Sequence, residues 1–312
     1  MTQSLGSSND SGQTAWPTGK VGFVAIVGRP NVGKSTFLNT VLDYHLVAVS
    51  SKPQTTRSRW RGILTDDDSQ MVFVDTPGAH IGSTRLGEAM LDTVDQSMSD
   101  ADVVLGVFDP TRPVGEEDRL VATRLQAQTQ PVLLAINKID AATPGEVDML
   151  RGFLAEMLPD RPIFEMSAAK GEQTGELVAA LRALLPPGPY FYPKDQVSDR
   201  FERDIGAEMI RESALERLED EVPHSLLVEI VQWKEHPKGV KIEAQIHVER
   251  ETQVGIVVGK GGNKLTDIKR DAIKRLRELV DGRVDLKLHV KVSKDWRNKD
   301  RMLQEFGLRG GP

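Results

Sequence analysis

The 312-residue chain contains no cysteine. Disulfides, thiolate-held zinc and thiol nucleophiles are thereby excluded, and a reducing compartment suits such a chain without being required by it. Aromatic residues are scarce at 5%. A nucleic-acid surface built mainly on stacked rings is therefore not expected, and any such contact must rest on backbone, aliphatic and charged groups. No apolar run approaches the roughly eighteen residues of a membrane span. Residues 1–19, rich in Ser, Gly, Thr and Asn, lack the apolar core of a signal peptide and read as a disordered tail. Loose peripheral contact with a membrane stays open.

What is present is ordinary in bulk and uneven in detail. Hydrophobic residues make up 39% and charged residues 28%, enough for about two domains with cores of their own. The net charge of −6 conceals an asymmetry. Residues 257–301 hold fourteen Lys/Arg against seven Asp/Glu, a local +7 that leaves −13 for the rest. An acidic body with one basic segment points to an anionic partner and to where it docks.

Gly28-Arg29-Pro30-Asn31-Val32-Gly33-Lys34-Ser35 fits G-x-x-x-x-G-K-[ST]. It stands between an apolar run at 21–27, expected to be a strand, and a helical stretch from 34 to 42. The glycines let backbone amides converge on a polyphosphate at a helix N-terminus, with Asn31, Val32, Gly33 and Thr36 around it. Lys34 supplies a cation to the β/γ-phosphates, and the Ser35 hydroxyl can ligate Mg²⁺. A nucleoside triphosphate site follows. From 20 to 185 short strands (21–27, 60–64, 71–74, 103–108, 132–136, 163–166) alternate with helices (34–42, 86–98, 116–126, 146–157, 175–184). That alternation predicts a mostly parallel sheet flanked by helices, with its ligand at the carboxyl ends of the strands.

The remaining motifs fall at those ends. Asp75-Thr76-Pro77-Gly78 places a Mg²⁺-holding carboxylate at Asp75 and an amide at Gly78 that can sense a γ-phosphate, although D-x-P-G alone is a common turn. In Asn137-Lys138-Ile139-Asp140, Asp140 can accept two hydrogen bonds from guanine, Asn137 can brace the loop, and the Lys138 stem can cover the base. Ser167-Ala168-Ala169-Lys170-Gly171 closes the last strand, and the Ala168 amide is expected to meet guanine O6. Residues 50–59 are polar without apolar period and read as a mobile loop. Thr56, preferred over Thr55, is expected to complete the Mg²⁺ shell when the γ-phosphate is present. Lys34, Thr56 and Gly78 are thus the catalytic candidates, and Ser35, Thr56 and Asp75 the metal ligands.

Residues 186–200, with their proline cluster, read as a linker. Beyond them 201–218 is amphipathic, with Phe201, Ile205, Met209, Ala214, Leu215 and Leu218 expected to share a buried stripe. Two alternating segments (225–235 and 240–251), the turn Gly259-Lys260-Gly261-Gly262, a basic helix (263–280) and a strand (284–292) follow. Candidate RNA contacts are Ile256, Val257, Gly259, Lys260, Gly261, Gly262, Lys264, Lys269 and Arg270, with Ile268 in the apolar floor. Solvation alone would also account for the basic helix.

The five motifs in order resemble the translation-factor-like P-loop GTPases. The α-β-β-α-α-β order around G-x-x-G resembles a type II K homology (KH) domain, a clamp for about four single-stranded nucleotides. Together, GRPNVGKS, QTTR, DTPG, NKID and SAAKG followed by one KH domain resemble the bacterial Era family over about residues 20–306. The resemblance implies an α/β GTPase domain at 20–185 and a smaller α+β KH domain at 201–306, with a further tail at 307–312. It also implies a Mg²⁺-dependent GTP/GDP cycle and binding of the 3′ end of 16S ribosomal RNA during assembly of the 30S subunit. A cytoplasmic monomer with peripheral contact at the inner face of the cell membrane is implied as well. Ala79, followed by His80, stands where Ras-like proteins carry a water-orienting glutamine; His80 reads as a switch-loop residue. In families with that replacement, an asparagine at the Asn31 position holds K⁺, so potassium activation is implied. Two rivals are a GTPase whose second domain only docks protein, and a metabolic P-loop kinase or ATPase.

Overall fold

The computed structural model describes residues 16–50, 52, 55–79, 84–219 and 222–308. The readings of residues 1–15 and 309–312 as tails, and of His80 as a switch residue, lie outside the described residues. Two sheets organise the chain. The first has the order β2-β3-β1-β4-β5-β6. Its strands are β1 (Thr18–Val27), β2 (Trp60–Thr65), β3 (Ser69–Asp75), β4 (Val103–Phe108), β5 (Val132–Ile136) and β6 (Ile163–Glu165). β3, β4 and β5 are buried along their whole lengths, which is why β4, β5 and the centre of β3 (residues 71–74) read as apolar runs instead of alternating ones. Only β2 runs antiparallel on the main path, hairpinned to β3.

Helices α1 (Lys34–Leu42), α2 (Arg85–Ser99), α3 (Glu116–Gln126), α4 (Pro144–Met157) and α5 (Thr174–Leu184) follow the strands. α4 starts on a capping box. Thr143 Oγ1 accepts from the Glu146 amide, and the Glu146 carboxylate returns to the Thr143 amide at 2.7 Å.

Two boundary expectations need correction. β1 begins inside the segment read as tail, and the proline cluster read as a linker contributes a strand, β7 (Pro187–Pro189), antiparallel to Thr18–Lys20. Prolines are tolerated there because β7 lies off the main path of the sheet.

The second sheet has the order β10-β9-β8. β8 (Leu227–His236) and β9 (Gly239–Val248) form a hairpin, and β10 (Arg283–Val292) pairs parallel to β9. Helices α6 (Glu202–Arg217), α7 (Val222–Ser225), α8 (Glu251–Val258), α9 (Asn263–Leu279) and α10 (Asp300–Glu305) complete it. Ile268, Ala272 and Leu276 form the buried stripe of α9. On α6 the expected stripe holds except at Phe201, which is 76% exposed. Phe201 is the N-cap, so its side chain stands before the helical face that meets the sheet.

The two units share packing. One apolar cluster runs from Phe37, Leu38 and Val47 of the first to Ile205, Met209, Ile242 and Leu276 of the second. A smaller one seats Leu86 and Met90 of α2 against Trp296, Leu303 and Leu308. Among the described residues no helix is long and apolar enough to cross a membrane.

Candidate functional site

The turn from β1 into α1 forces unusual backbone. Asn31 (φ 64°) and Gly33 (φ 98°) are left-handed. A Cβ at Gly33 would come within 2.2 Å of Asn137 Nδ2, so glycine alone fits. Lys34 Nζ donates to the carbonyls of Gly28 (3.0 Å) and Arg29 (3.1 Å). Burial pushes its ammonium down to about 8, with Asp75 opposing. A buried cation whose hydrogen bonds among the described residues go to carbonyls is poised for an anion.

Ser35 Oγ donates to Asp75 Oδ2 at 2.7 Å and lies 2.8 Å from Thr56 Oγ1, which is 3.4 Å from the same oxygen. Thr55 Oγ1 instead donates to the Lys52 carbonyl. Asp75 Oδ1 is buried and has no hydrogen-bond partner among the described residues. Burial pushes the Asp75 carboxyl up to about 6, against Lys34 and the two hydroxyls. An orphaned buried carboxylate oxygen beside two hydroxyls fits a hard divalent cation. No cluster of three or more His, Asp or Glu capable of holding a metal occurs among the described residues. The other ligands would then be phosphate oxygens and water, the Mg²⁺ pattern. Gly78 is packed on Pro30, where a Cβ would meet Pro30 Cα at 2.7 Å, and the Ala79 amide donates to the Gly28 carbonyl at 3.1 Å.

On the other side of the loop, Asn137 braces two segments. Its Nδ2 donates to the Val32 carbonyl and its Oδ1 accepts from the Ala168 amide, both at 2.8 Å. The Ala168 amide is therefore committed and the residue is buried, whereas Ala169 is exposed. The amide expected at guanine O6 thus donates to Asn137 in this structure. Lys138 Nζ donates to the Asn31 carbonyl and to Asp109, each at 2.6 Å. The Asp140 carboxylate stands 4.0 Å from Lys170 Nζ. A cavity of about 260 Å³ is lined by Asn31, Gly33, Lys34, Ser35, Thr56, Gly78 and Lys138 among others, while Asp75, Asn137, Asp140 and Ala168 stand outside its lining.

Several contributors escaped the motif reading. Arg29, buried inside the loop, donates to Asp118 of α3 at 2.8 Å and to the Asp109 carbonyl at 3.2 Å, fixing the loop from behind. Arg112 also lines the cavity. A strand-end aspartate such as Asp109 was the one available signal. The loop read as mobile is largely buried where described: Thr55, Thr56 and Arg57 are all below 9% exposed. The Thr55 carbonyl and the Arg57 guanidinium find their partners in the second unit, beyond reach of a local reading.

In that unit, α8 and α9 meet at the glycine turn. Gly259, Gly261 and Gly262 all have positive φ (74°, 62° and 79°), and a Cβ at Gly259 would meet Lys264 Cβ at 2.7 Å. The exposed backbone there can approach a phosphate closely. Ile256 is 45% exposed and Val257 is fully buried, as is Ile268. Val257 and Ile268 therefore support the floor from beneath, leaving Ile256 as its open apolar surface. Thr266, Lys269, Arg270, Ile273, Lys274 and Arg277 line an open groove along α9, although Arg270 is paired with Asp267 at 2.8 Å.

Two family models match the chain: a 50S ribosome-binding GTPase at residues 23–138 and a KH domain at residues 221–297. The GTPase Era of Clostridium acetobutylicum is 43% identical over 93% of this chain and 98% of its own length. That of Clostridium perfringens is 39% identical over 93% and 98%. A crystal structure of Era with MgGDPNP and nucleotides 1506–1542 of 16S ribosomal RNA superposes with a TM-score of 0.89 at 35% identity, covering 94% of this chain and all of the other. A point variant of Aquifex aeolicus Era bound to GDP and AlF4⁻ gives 0.88 at 35% identity, covering 93% and 100%. With both domains matched in order and identity sustained from end to end, the chain belongs to the Era family of GTPases.

Proposed function

We propose that this chain is a GTP-hydrolysing switch that binds 16S ribosomal RNA near its 3′ end through a KH domain and assists assembly of the 30S subunit. The observation that carries the reading is the convergence of the Ser35 and Thr56 hydroxyls on one oxygen of Asp75 whose other oxygen is orphaned, beside a loop shaped for polyphosphate. A family model names the large subunit in its description, but it spans only residues 23–138. The relative solved with 16S RNA shares both domains, so it is the better guide to the partner. Residues 18–189, from β1 to β7, form the GTPase domain, 190–200 the connection and 201–306 the KH domain.

Guanine is read by Asp140 and by the Ala169 amide, with Asn137 holding the two segments together and Lys138 covering the base. Ser167 and Ala168 keep the last strand end close to that loop. The amides of residues 31–36 face the phosphates, and Lys34 exchanges its two carbonyl partners for β/γ-phosphate oxygens. Ser35, Thr56 and Asp75 would hold Mg²⁺, which supplies charge neutralisation between the β- and γ-phosphates. Water attacks the γ-phosphorus, the bond to the β-phosphate oxygen breaks, and GDP and phosphate leave. Gly78 N–H and Thr56 register the γ-phosphate. Because Ala79 offers no side chain to orient water, we assign to Asn31 a K⁺ ion that stands in for the missing polar group. Equal single-turnover rates in Na⁺ and K⁺ would refute that assignment. The protein acts as a cytoplasmic monomer, with peripheral contact at the inner membrane face.

RNA meets Ile256, the 259–262 turn and Lys264, while Lys269 and Arg270 add charge along α9. The test is binding of an oligoribonucleotide matching the 3′ end of 16S RNA. Gly259→Asp/Gly262→Asp should weaken it at least about tenfold, with affinity falling as salt rises. Retained RNA affinity in that double variant would make the second domain a protein-docking module instead.

A further inference from the structure

Among the described residues, Thr56 is the member of the metal-facing group whose chain neighbours are held from outside the GTPase domain. On one side, the Thr55 carbonyl accepts from Arg211 Nη2 of α6. Arg211 is itself clamped by Glu208 one turn earlier, with Nε to Oε1 at 2.9 Å. On the other side, Arg57 donates to the carbonyls of Leu226 and Pro223, the latter at 3.1 Å. Its guanidinium also lies 5.6 Å from the centre of the Trp296 ring. Upstream, the Val49 amide donates to Glu212 Oε1 at 3.2 Å. Both arginines are almost wholly buried. Burial, helped by Arg211, pushes the Arg57 guanidinium down to about 9, so it remains a cation at neutral pH.

Two buried cations, one within the 55–57 segment and one reaching it from α6, are costly to place without hydrogen-bond partners, and only Nη1 of Arg211 lacks one among the described atoms of that guanidinium. The geometry they enforce is narrow, because backbone carbonyls accept along restricted directions. We infer that Arg57 and Arg211 are positioning residues that set Thr56 against Ser35 and Asp75, so that docking of the KH domain decides whether the γ-phosphate can be sensed. This rests on the GTP switch proposed above and adds its mechanical link. By reciprocity, a nucleotide that engages Thr56 tightens the dock, and one that does not leaves it looser.

Arg211→Met, Arg211→Lys and Glu208→Gln in the full-length chain test the assignment. Four measurements are made on each: single-turnover GTP hydrolysis, affinity for GDP, hydrogen exchange of residues 55–57, and oligoribonucleotide affinity with GDP and with a non-hydrolysable GTP analogue. Arg211→Met should lower kcat about 10- to 100-fold, the worth of a lost charged hydrogen bond, while GDP affinity stays within about twofold. Exchange at 55–57 should rise, and RNA affinity should cease to depend on the nucleotide. Arg211→Lys, which keeps a charged donor, should recover most of the loss. Glu208→Gln, at a partly exposed carboxylate, should shift every readout the same way by less, and it decides the matter if Arg211→Met does not fold.

Hydrolysis within about twofold of the unmodified chain, with unchanged exchange, would overturn the assignment. If the unmodified chain binds RNA equally in both nucleotide states, the proposed switching fails. The hydrolysis and exchange readouts then still decide the role of Arg211.

Discussion

The base side and the switch side of the nucleotide pocket are built on different plans. On the base side every brace is internal to the first domain: Asn137 to Val32 and Ala168, Lys138 to Asn31 and Asp109, Arg29 to Asp118. On the switch side Thr56 is framed by residues whose partners belong to α6, the α7–β8 junction and Trp296. On the proposed reading, recognition of the base is thus a property of the first domain alone. Sensing of the γ-phosphate belongs to an interface, and interfaces respond to whatever else binds either partner.

The sharpest way to separate the two sides is Asp140→Asn. It should cost GTP affinity by about 10³-fold or more, with xanthosine triphosphate gaining in return, because a buried hydrogen-bond mismatch is left behind. Competition binding with both nucleotides reads this, and undiminished GTP preference would blur the division. Next in size, Trp296→Ala empties a fully buried site under Arg57 and should destabilise the protein by about 3–5 kcal/mol. In thermal melts with saturating ligand, the GTP analogue should protect less than in the unmodified chain, with protection by GDP retained. Asn137→Ala removes a brace on the base side and should weaken GDP and GTP analogue alike, by about 10- to 100-fold. A change in their ratio, measured by fluorescent-nucleotide titration, would mean that the two sides communicate through Asn137.

The smallest effect concerns His45. Its imidazole stands 2.9 Å from Glu212, the carboxylate that also holds the Val49 amide. The adjacent Glu212 carboxylate raises its pKa above 6.5, against burial, with Glu278 adding attraction and Arg275 opposing. A raised folded-state value means that the contribution is fully present below 6.5 and is lost as pH rises through the raised value. His45→Gln should therefore lower the midpoint of chemical denaturation at pH 6 and leave it nearly unchanged at pH 9.

The sequence was most legible where chemistry is local. A phosphate loop needs its glycines, lysine and hydroxyl side by side, so residues 28–35 announced themselves, and the strand-end motifs located Asp75, Asn137 and Asp140. The α/β alternation likewise gave the sheet, since strands buried on both faces read as apolar runs. Contacts between distant segments were not legible. Arg211 and Thr55 are 156 residues apart, and Arg57 and Leu226 are 169 apart. Nothing in a polar loop rich in Ser, Thr and Arg distinguishes a solvated tether from one gripped by another domain. The engagement of the Ala168 amide was hidden for a related reason: it depends on where Asn137 Oδ1 ends up. The exposed Phe201 shows that helical periodicity does not say where the helix starts.

One modest element bears on how the molecule is made. β7 pairs with the first residues of β1, and just beyond it the Tyr190 amide donates to the Pro17 carbonyl at 2.8 Å while the Tyr190 hydroxyl reaches the Asp66 carbonyl at 2.9 Å. The strand that leads into the phosphate loop therefore lacks its last partner until residue 190 has been synthesised. A growing chain of 180 residues already carries every nucleotide motif, yet the end of its sheet is unstitched. Completion of the first domain during translation thus waits for the opening of the passage to the second.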